Sequence, residues 1–299
     1  MRHLLRTLTI GILCLCASSA SAHTFATIDA GRGEVKLMLP SGYDGSKALP
    51  LVVSLHGFKG TGQSYIDYWT HNRQVDQQQF IVAAPDGTQD SKGRAFWNAG
   101  EACCNKEARD VDDSAYLRHL IETIEAAYNI DAASIHVAGY SNGGFMAHTM
   151  ACDHPDKIAS ISSFAGAARL DLGSCKTKGQ THVLQIHGTH DASIFYGGGF
   201  TMNDVNKQPS PYPSALHSTS MWVGQHGGSM VPQELDMLDL SERVAGIDTT
   251  VWRFATQGKR SIVSELWSIH GETHVPKMNQ GSHVLSTQWL LAHRKDGIR

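Results

Sequence analysis

Short, almost unbroken apolar runs alternating with helical stretches are what most constrain this chain. Leu51–Leu55 (LVVSL) reads as a buried strand ending at His56-Gly57, and Phe80–Ala84 (FIVAA) as another, closed by Pro85-Asp86-Gly87. Between Asp112 and Tyr128, Leu117, Leu120, Ile121, Ile124 and Ala127 recur at helical spacing, with Asp110, Asp112 and Asp113 near the start, where a helix favours negative charge. Ser134–Ala138 (SIHVA) is a strand followed by a helix over Asn142–Cys152. Strands are expected at Ile158–Phe164, His182–Ile186 and Ile262–Ile269, with a closing helix at Ser282–His293. Strands apolar along their whole length are covered on both faces. The pattern therefore implies an α/β fold with a mostly parallel sheet between helical layers. Reactive groups in such sheets collect beyond the carboxyl ends of the strands.

Length and composition narrow the possibilities. The chain has 299 residues, 41% hydrophobic and 18% charged, with no repeat, low-complexity tract or linker to divide it. A net charge of −3 without a Lys/Arg run argues against nucleic-acid binding. The N-terminus is basic (Arg2, His3, Arg6), then apolar from Leu8 to Ala17, then small at Ala20-Ser21-Ala22. This reads as an export signal over 1–22, too short to stay as a membrane anchor. Cleavage after Ala22 would expose His23 and leave one domain over 23–299, secreted or periplasmic, with no obligate protein partner implied. In an oxidising compartment Cys103, Cys104, Cys152 and Cys175 are expected to form two disulfides. Neighbouring cysteines rarely bridge each other, so Cys103 and Cys104 are each expected to pair with Cys152 or Cys175. Adjacent cysteines also lack the spacing of a zinc site, and no metal or cofactor is implied.

The chemistry centres on Gly139-Tyr140-Ser141-Asn142-Gly143, which follows a strand and opens a helix. A serine on so tight a turn is lifted clear of the sheet, and its hydroxyl becomes a nucleophile when an imidazole oriented by a carboxylate removes its proton. Asp191 follows the strand ending at Ile186, and His274 follows the strand ending at Ile269, so the order is Ser, Asp, His. Asp204 is the reserve acid, and His270 the second-choice base, expected to pack against the sheet. The backbone N–H groups of Asn142 and Phe58 are the candidate oxyanion donors. His56, Trp97 and Tyr140 are candidate substrate contacts. The Gly/Pro-rich segment from Tyr196 to Ser214 reads either as a flexible rim or lid, or as a plain surface loop.

These residues carry a resemblance. Leu-His-Gly at 55–57, Pro-Asp-Gly at 85–87, Trp-Asn-Ala-Gly at 97–100 before Cys-Cys, and Val-Asp-Asp at 111–113 are joined by Gly-Tyr-Ser-Asn-Gly-Gly-Phe-Met-Ala at 139–147 and His-Gly-Thr-x-Asp at 187–191. In this order they resemble the secreted polyhydroxybutyrate depolymerases and feruloyl/acetylxylan esterases of the α/β-hydrolase fold. The resemblance implies a serine esterase with Ser141, Asp191 and His274 as its triad. Its implied substrates are hydroxyalkanoate oligomers, or feruloyl and acetyl esters of plant polysaccharide. A serine peptidase, a lipase or a non-catalytic binding protein on the same scaffold is the alternative. Two departures stand out. The family's Gly-Gly-Gly-His-x-Trp-Pro is Gly271-Glu272-Thr273-His274-Val275-Pro276 here, without the Trp, and Gly228-Ser229 stands where relatives often have a Cys.

Overall fold

The structure, a computed structural model, describes residues 23–299 except 176–179, 203, 204, 206, 259, 260, 296 and 299. The expected export segment and the reserve acid Asp204 lie outside the described residues. Ten strands form the main sheet: β1 (Thr24–Asp29), β2 (Glu34–Leu39), β3 (Leu49–Leu55), β4 (Ile81–Ala84), β5 (Ile130–Tyr140), β6 (Ser160–Phe164), β7 (His182–Gly188), β8 (Gln233–Leu238), β9 (Thr249–Ala255) and β10 (Val263–Ile269). Their order across the sheet is β1-β2-β4-β3-β5-β6-β7-β10-β9-β8. The six strands from β4 to β10 run parallel, and antiparallel pairs close both edges.

Period-two alternation divides the core into two layers. From β3, Leu51, Val53 and Leu55 face a cluster holding Leu117, Leu120, Ile121 and Ile124 of helix α3 (Asp113–Ala127) and Phe145, Met146 and Met150 of α4 (Asn142–Asp153). Val52 points the other way, into a cluster with Ile66 of α1 (Gly62–Tyr68), Val75 of α2 (His71–Gln78) and Leu290 of α6 (Gln280–Ala292). Helix α5 (Ala215–Gln225) adds Trp222 to the first layer. Every residue of α4 is buried, and so that helix shows little amphipathic signal in sequence.

Register aligns the chemistry. Leu55 pairs with Gly139, Gly139 with Ser163, Phe164 with Ile186, and Gly188 with Ile269. The carboxyl ends of β3, β5, β6, β7 and β10 therefore finish level, and the segments that leave them meet at one edge.

The disulfide pairing differs from the expectation. Cys103 is bonded to Cys104, and Cys152 to Cys175. Cys152 lies in the last turn of α4, and the one-turn helix at Leu172–Ser174 delivers Cys175 to within 4.9 Å of it, Cα to Cα. Those two satisfy one another, which leaves the neighbouring pair only itself. The rarity of vicinal bridges says nothing about which distant partners the fold makes available.

Candidate active site

Ser141 sits between β5 and α4 at φ +52° and ψ −116°, a conformation costly for any residue with a Cβ. The turn is possible because the residues two positions away on either side, Gly139 and Gly143, lack side chains. A Cβ on Gly139 would lie 2.0 Å from the Gly143 carbonyl oxygen, and one on Gly143 2.2 Å from the Leu55 oxygen. Backbone thus packs directly on backbone, and the hydroxyl is raised above the sheet. The Ser141 N–H donates to the Phe164 carbonyl at 2.7 Å, fixing the turn to β6.

His274 reaches Ser141 from the segment after β10. Its Nε2 lies 3.0 Å from Ser141 Oγ, and its Nδ1 lies 2.7 Å from Asp191 Oδ2. Asp191 is buried, and its Oδ1 accepts from the N–H groups of Ser193 and Ile194 at 2.8 and 2.9 Å. Burial alone would raise this carboxyl. Hydrogen bonds from His187, His274 and the Ile194 N–H outweigh it and hold the group well below the carboxylate range. The two loops are locked together: the His190 N–H donates to the Glu272 carbonyl at 2.8 Å, and a Cβ on Gly188 would strike that same carbonyl.

Two backbone donors stand beside the serine. Gly57 approaches so closely that an added Cβ would lie 3.4 Å from Ser141 Cβ. Among the described residues, the N–H groups of Phe58, next to it, and of Asn142 donate to no other group. No cluster of three or more His, Cys, Asp or Glu arranged for a metal occurs among the described residues.

The esterase family model, described as "Putative esterase", matches residues 30–259. The chain belongs to this esterase family. Feruloyl esterase B of Piromyces equi is 30% identical over 204 residues, which is 67% of this chain but 37% of that protein. A protein named "Probable feruloyl esterase C" from Aspergillus terreus is 29% identical over 218 residues, covering 68% of this chain and 73% of its own length. The fold is shared with an acetyl xylan esterase from Aspergillus awamori, at TM-score 0.61 and 16% identity over 89% of this chain and 98% of that one. The architecture is the α/β-hydrolase fold.

The remaining residues singled out from the sequence fall in different places. Trp97 is fully buried. Its Nε1 donates to the His56 carbonyl at 3.0 Å, and its backbone exchanges hydrogen bonds with the Asn142 side chain. It braces the serine turn from beneath. His56 is also buried, and its two ring nitrogens are engaged by the Gly57 carbonyl and the Gly87 N–H at 2.7 and 2.9 Å. Its ring has no polar atom left for a substrate, and burial pushes its pKa down. Tyr140 is half-buried, lines a cavity beside Ser141, and donates to the His274 carbonyl at 3.0 Å. His270 is exposed instead of packed on the sheet, with Nε2 2.7 Å from the Thr250 hydroxyl. Part of the Tyr196–Ser214 segment is a hairpin. Gly199–Met202 pairs antiparallel with Pro209–Tyr212, and the Thr201 hydroxyl donates to the Ala102 carbonyl, tying this hairpin to the loop carrying Cys103.

Two residues stood inside quoted motifs but were assigned no role from sequence. Glu272, fully buried, accepts from the Ser241 hydroxyl and from Arg243 at 3.4 Å, anchoring the segment that presents His274. His187 places Nε2 3.1 Å from Asp191 Oδ2. The Pro-Asp-Gly and Val-Asp-Asp motifs prove to be scaffold. Asp86 accepts from the Gly62 N–H at 2.7 Å, Asp112 caps α3, and Asp113 takes the Asn98 N–H at 2.6 Å and pairs with Arg32.

Proposed function

We propose that this esterase cleaves carboxylic esters through an acyl-enzyme on Ser141. The observation that carries this reading is the unbroken line from the Ser141 hydroxyl through both nitrogens of His274 to a buried carboxylate, at 3.0 and 2.7 Å. His274 Nε2 takes the serine proton as Oγ attacks the ester carbonyl carbon. The carbonyl π electrons move to oxygen, and the N–H groups of Phe58 and Asn142 stabilise that charge. The tetrahedral species collapses, and the alcohol leaves with the proton from His274. A water molecule then repeats the sequence, releasing the acid and restoring Ser141. Asp191 holds the imidazole with Nδ1–H turned away from the serine and balances its transient charge.

For the acyl group we propose a hydroxycinnamoyl unit. A cavity of about 210 Å³ is lined by Phe58, Tyr65, Tyr68, Tyr140 and Val275 with His56, Gly57, Gly60 and Ser64, and its wall at Gly57 and Tyr140 adjoins Ser141. A flat, conjugated acyl chain stacks on such rings, whereas an acetyl group leaves the slot unfilled and a flexible hydroxybutyrate gains less from it. The relatives named feruloyl esterases point the same way. Export to an oxidising compartment accords with the two disulfides.

Ser141→Ala should lower kcat on methyl ferulate by about 10⁴-fold or more with an unchanged circular dichroism spectrum. A variant keeping a tenth of wild-type turnover would refute the nucleophile. Side-by-side kcat/KM on methyl ferulate, p-nitrophenyl acetate and a hydroxybutyrate trimer tests the acyl assignment. A preference for the trimer would overturn it.

A further inference from the structure

Asp191 Oδ2 faces two imidazoles, and only one of them touches Ser141. The second, on His187, is itself 1% exposed and ends a line of buried polar groups running back through β7 to helices α4 and α5. Trp222 Nε1 lies 3.2 Å from His148 Nδ1, His148 Nε2 lies 3.0 Å from Gln185 Oε1, and Gln185 Nε2 lies 3.2 Å from His187 Nδ1.

The direction of every bond in this line follows from its first member. An indole N–H can only donate, so His148 Nδ1 must accept. Burial pushes the His148 pKa down to about 4, and the ring is neutral with its single proton on Nε2. That proton goes to Gln185 Oε1, which turns the amide nitrogen toward His187. The same amide orientation is required independently by the Gly166 carbonyl, 2.9 Å from Gln185 Nε2. His187 Nδ1 therefore accepts, and its proton is confined to Nε2, where it is shared between Asp191 Oδ2 and the Ile194 carbonyl at 3.1 and 2.8 Å. The His187 ring also meets the edge of Tyr196 at 5.7 Å between centroids, and shares its Asp191 acceptor oxygen with His274 Nδ1.

We propose that His187 is a positioning residue for ester cleavage, and that Trp222, His148 and Gln185 fix its tautomer so that it donates permanently to Asp191. This rests on the reading of Ser141, His274 and Asp191 as the reacting set. The second donor does two things. It stops the carboxylate rotating out of the His274 plane, and it draws off part of the negative charge that would otherwise make His274 too strong a base. Without it, the carboxylate would bind the His274 imidazolium more tightly, and the proton would pass on to the leaving alcohol less readily.

The test joins spectroscopy with kinetics. In wild-type protein carrying ¹⁵N-histidine, long-range ¹H–¹⁵N spectra should show His187 and His148 protonated at Nε2 alone; a proton on Nδ1 of His187 would overturn the proposal. His187→Phe should lower kcat on methyl ferulate about 10-fold with KM within two-fold, and move the acid limb of kcat/KM upward by roughly half a pH unit. His187→Gln, which keeps an N–H donor, should recover part of both effects. A folded His187→Phe protein with wild-type kcat and an unmoved acid limb would refute the role. If His187→Phe does not fold, the tautomer spectra and His187→Gln decide. Labelling of wild-type protein by a fluorophosphonate separates the two levels. No label on Ser141 would sink the reacting set and the proposal with it, while a normal label with an unmoved acid limb would sink the proposal alone.

Discussion

Histidines gather at both ends of the parallel sheet, with opposite consequences. At the carboxyl end, His274 and His187 share one ionised carboxylate. At the amino end, His136, His182 and His293 cluster without one. His136 donates from Nδ1 to the Ser160 hydroxyl at 2.8 Å, His182 accepts the Val263 N–H at 3.0 Å, and His293 Nδ1 donates to the Trp289 carbonyl at 2.6 Å. Asp131, near this group, is committed to Arg294 and Ser134. Burial pushes His136 and His182 to about 3 and His293 to about 4. On the proposed mechanism the same side chain carries a proton where a carboxylate bonds it, and is polar filling where none does. Neighbours decide, and a count of seventeen histidines cannot.

The sharpest way to break this contrast is to neutralise the acid. Asp191→Asn should cut kcat by roughly 10³- to 10⁴-fold, because an amide cannot hold the His274 tautomer or its positive charge. A loss under ten-fold in a folded variant would make the carboxyl-end histidines no different from the others. Next in size is the response of the fold to acid. Unfolded imidazoles take up protons near ~6.5, whereas these three do so only at about 3 to 4. Between those values the unfolded chain binds more protons, so their stability contribution is complete above ~6.5 and drains away as pH falls. Each imidazole contributes up to ~1.4 kcal/mol per pH unit in that window. Urea midpoints at pH 7, 6 and 5 should decline steadily, and a flat profile would contradict the assignment. The smallest effect is the most discriminating. His136→Gln keeps a donor for Ser160, so the acid slope should flatten while kcat at neutral pH stays within two-fold of wild type. A large loss of kcat would join the two ends functionally.

What sequence reveals here follows the burial pattern. LVVSL, FIVAA and SIHVA are legible as strands because both faces are covered, leaving no polar position to blur the run. The edge strands β1 and β8 (TFATID and QELDML) pass unnoticed, since exposed residues dominate them and no apolar run forms. Ser141, Asp191 and His274 are legible because each directly follows an apolar strand, and parallel register brings such segments together. Trp97 misleads because an aromatic beside a reactive loop looks the same in sequence whether it lines a pocket or supports one. Glu272 and His187 are invisible for a different reason. Their meaning lies in side-chain contacts that no run or spacing records: Ser241, from a distant loop, for the one, and Gln185 and Asp191, from the same strand and the loop it enters, for the other.

The backbone at Ser141 bears on how such a protein can change over time. Its positive φ costs of order 1–3 kcal/mol, which the surrounding strands must sustain for as long as a side chain stays at that position. A glycine there would relieve the strain and, on the proposed mechanism, remove the attacking oxygen in a single step. On that mechanism the most durable version of this molecule is an inactive one, and only continued demand for its product keeps a population from settling there.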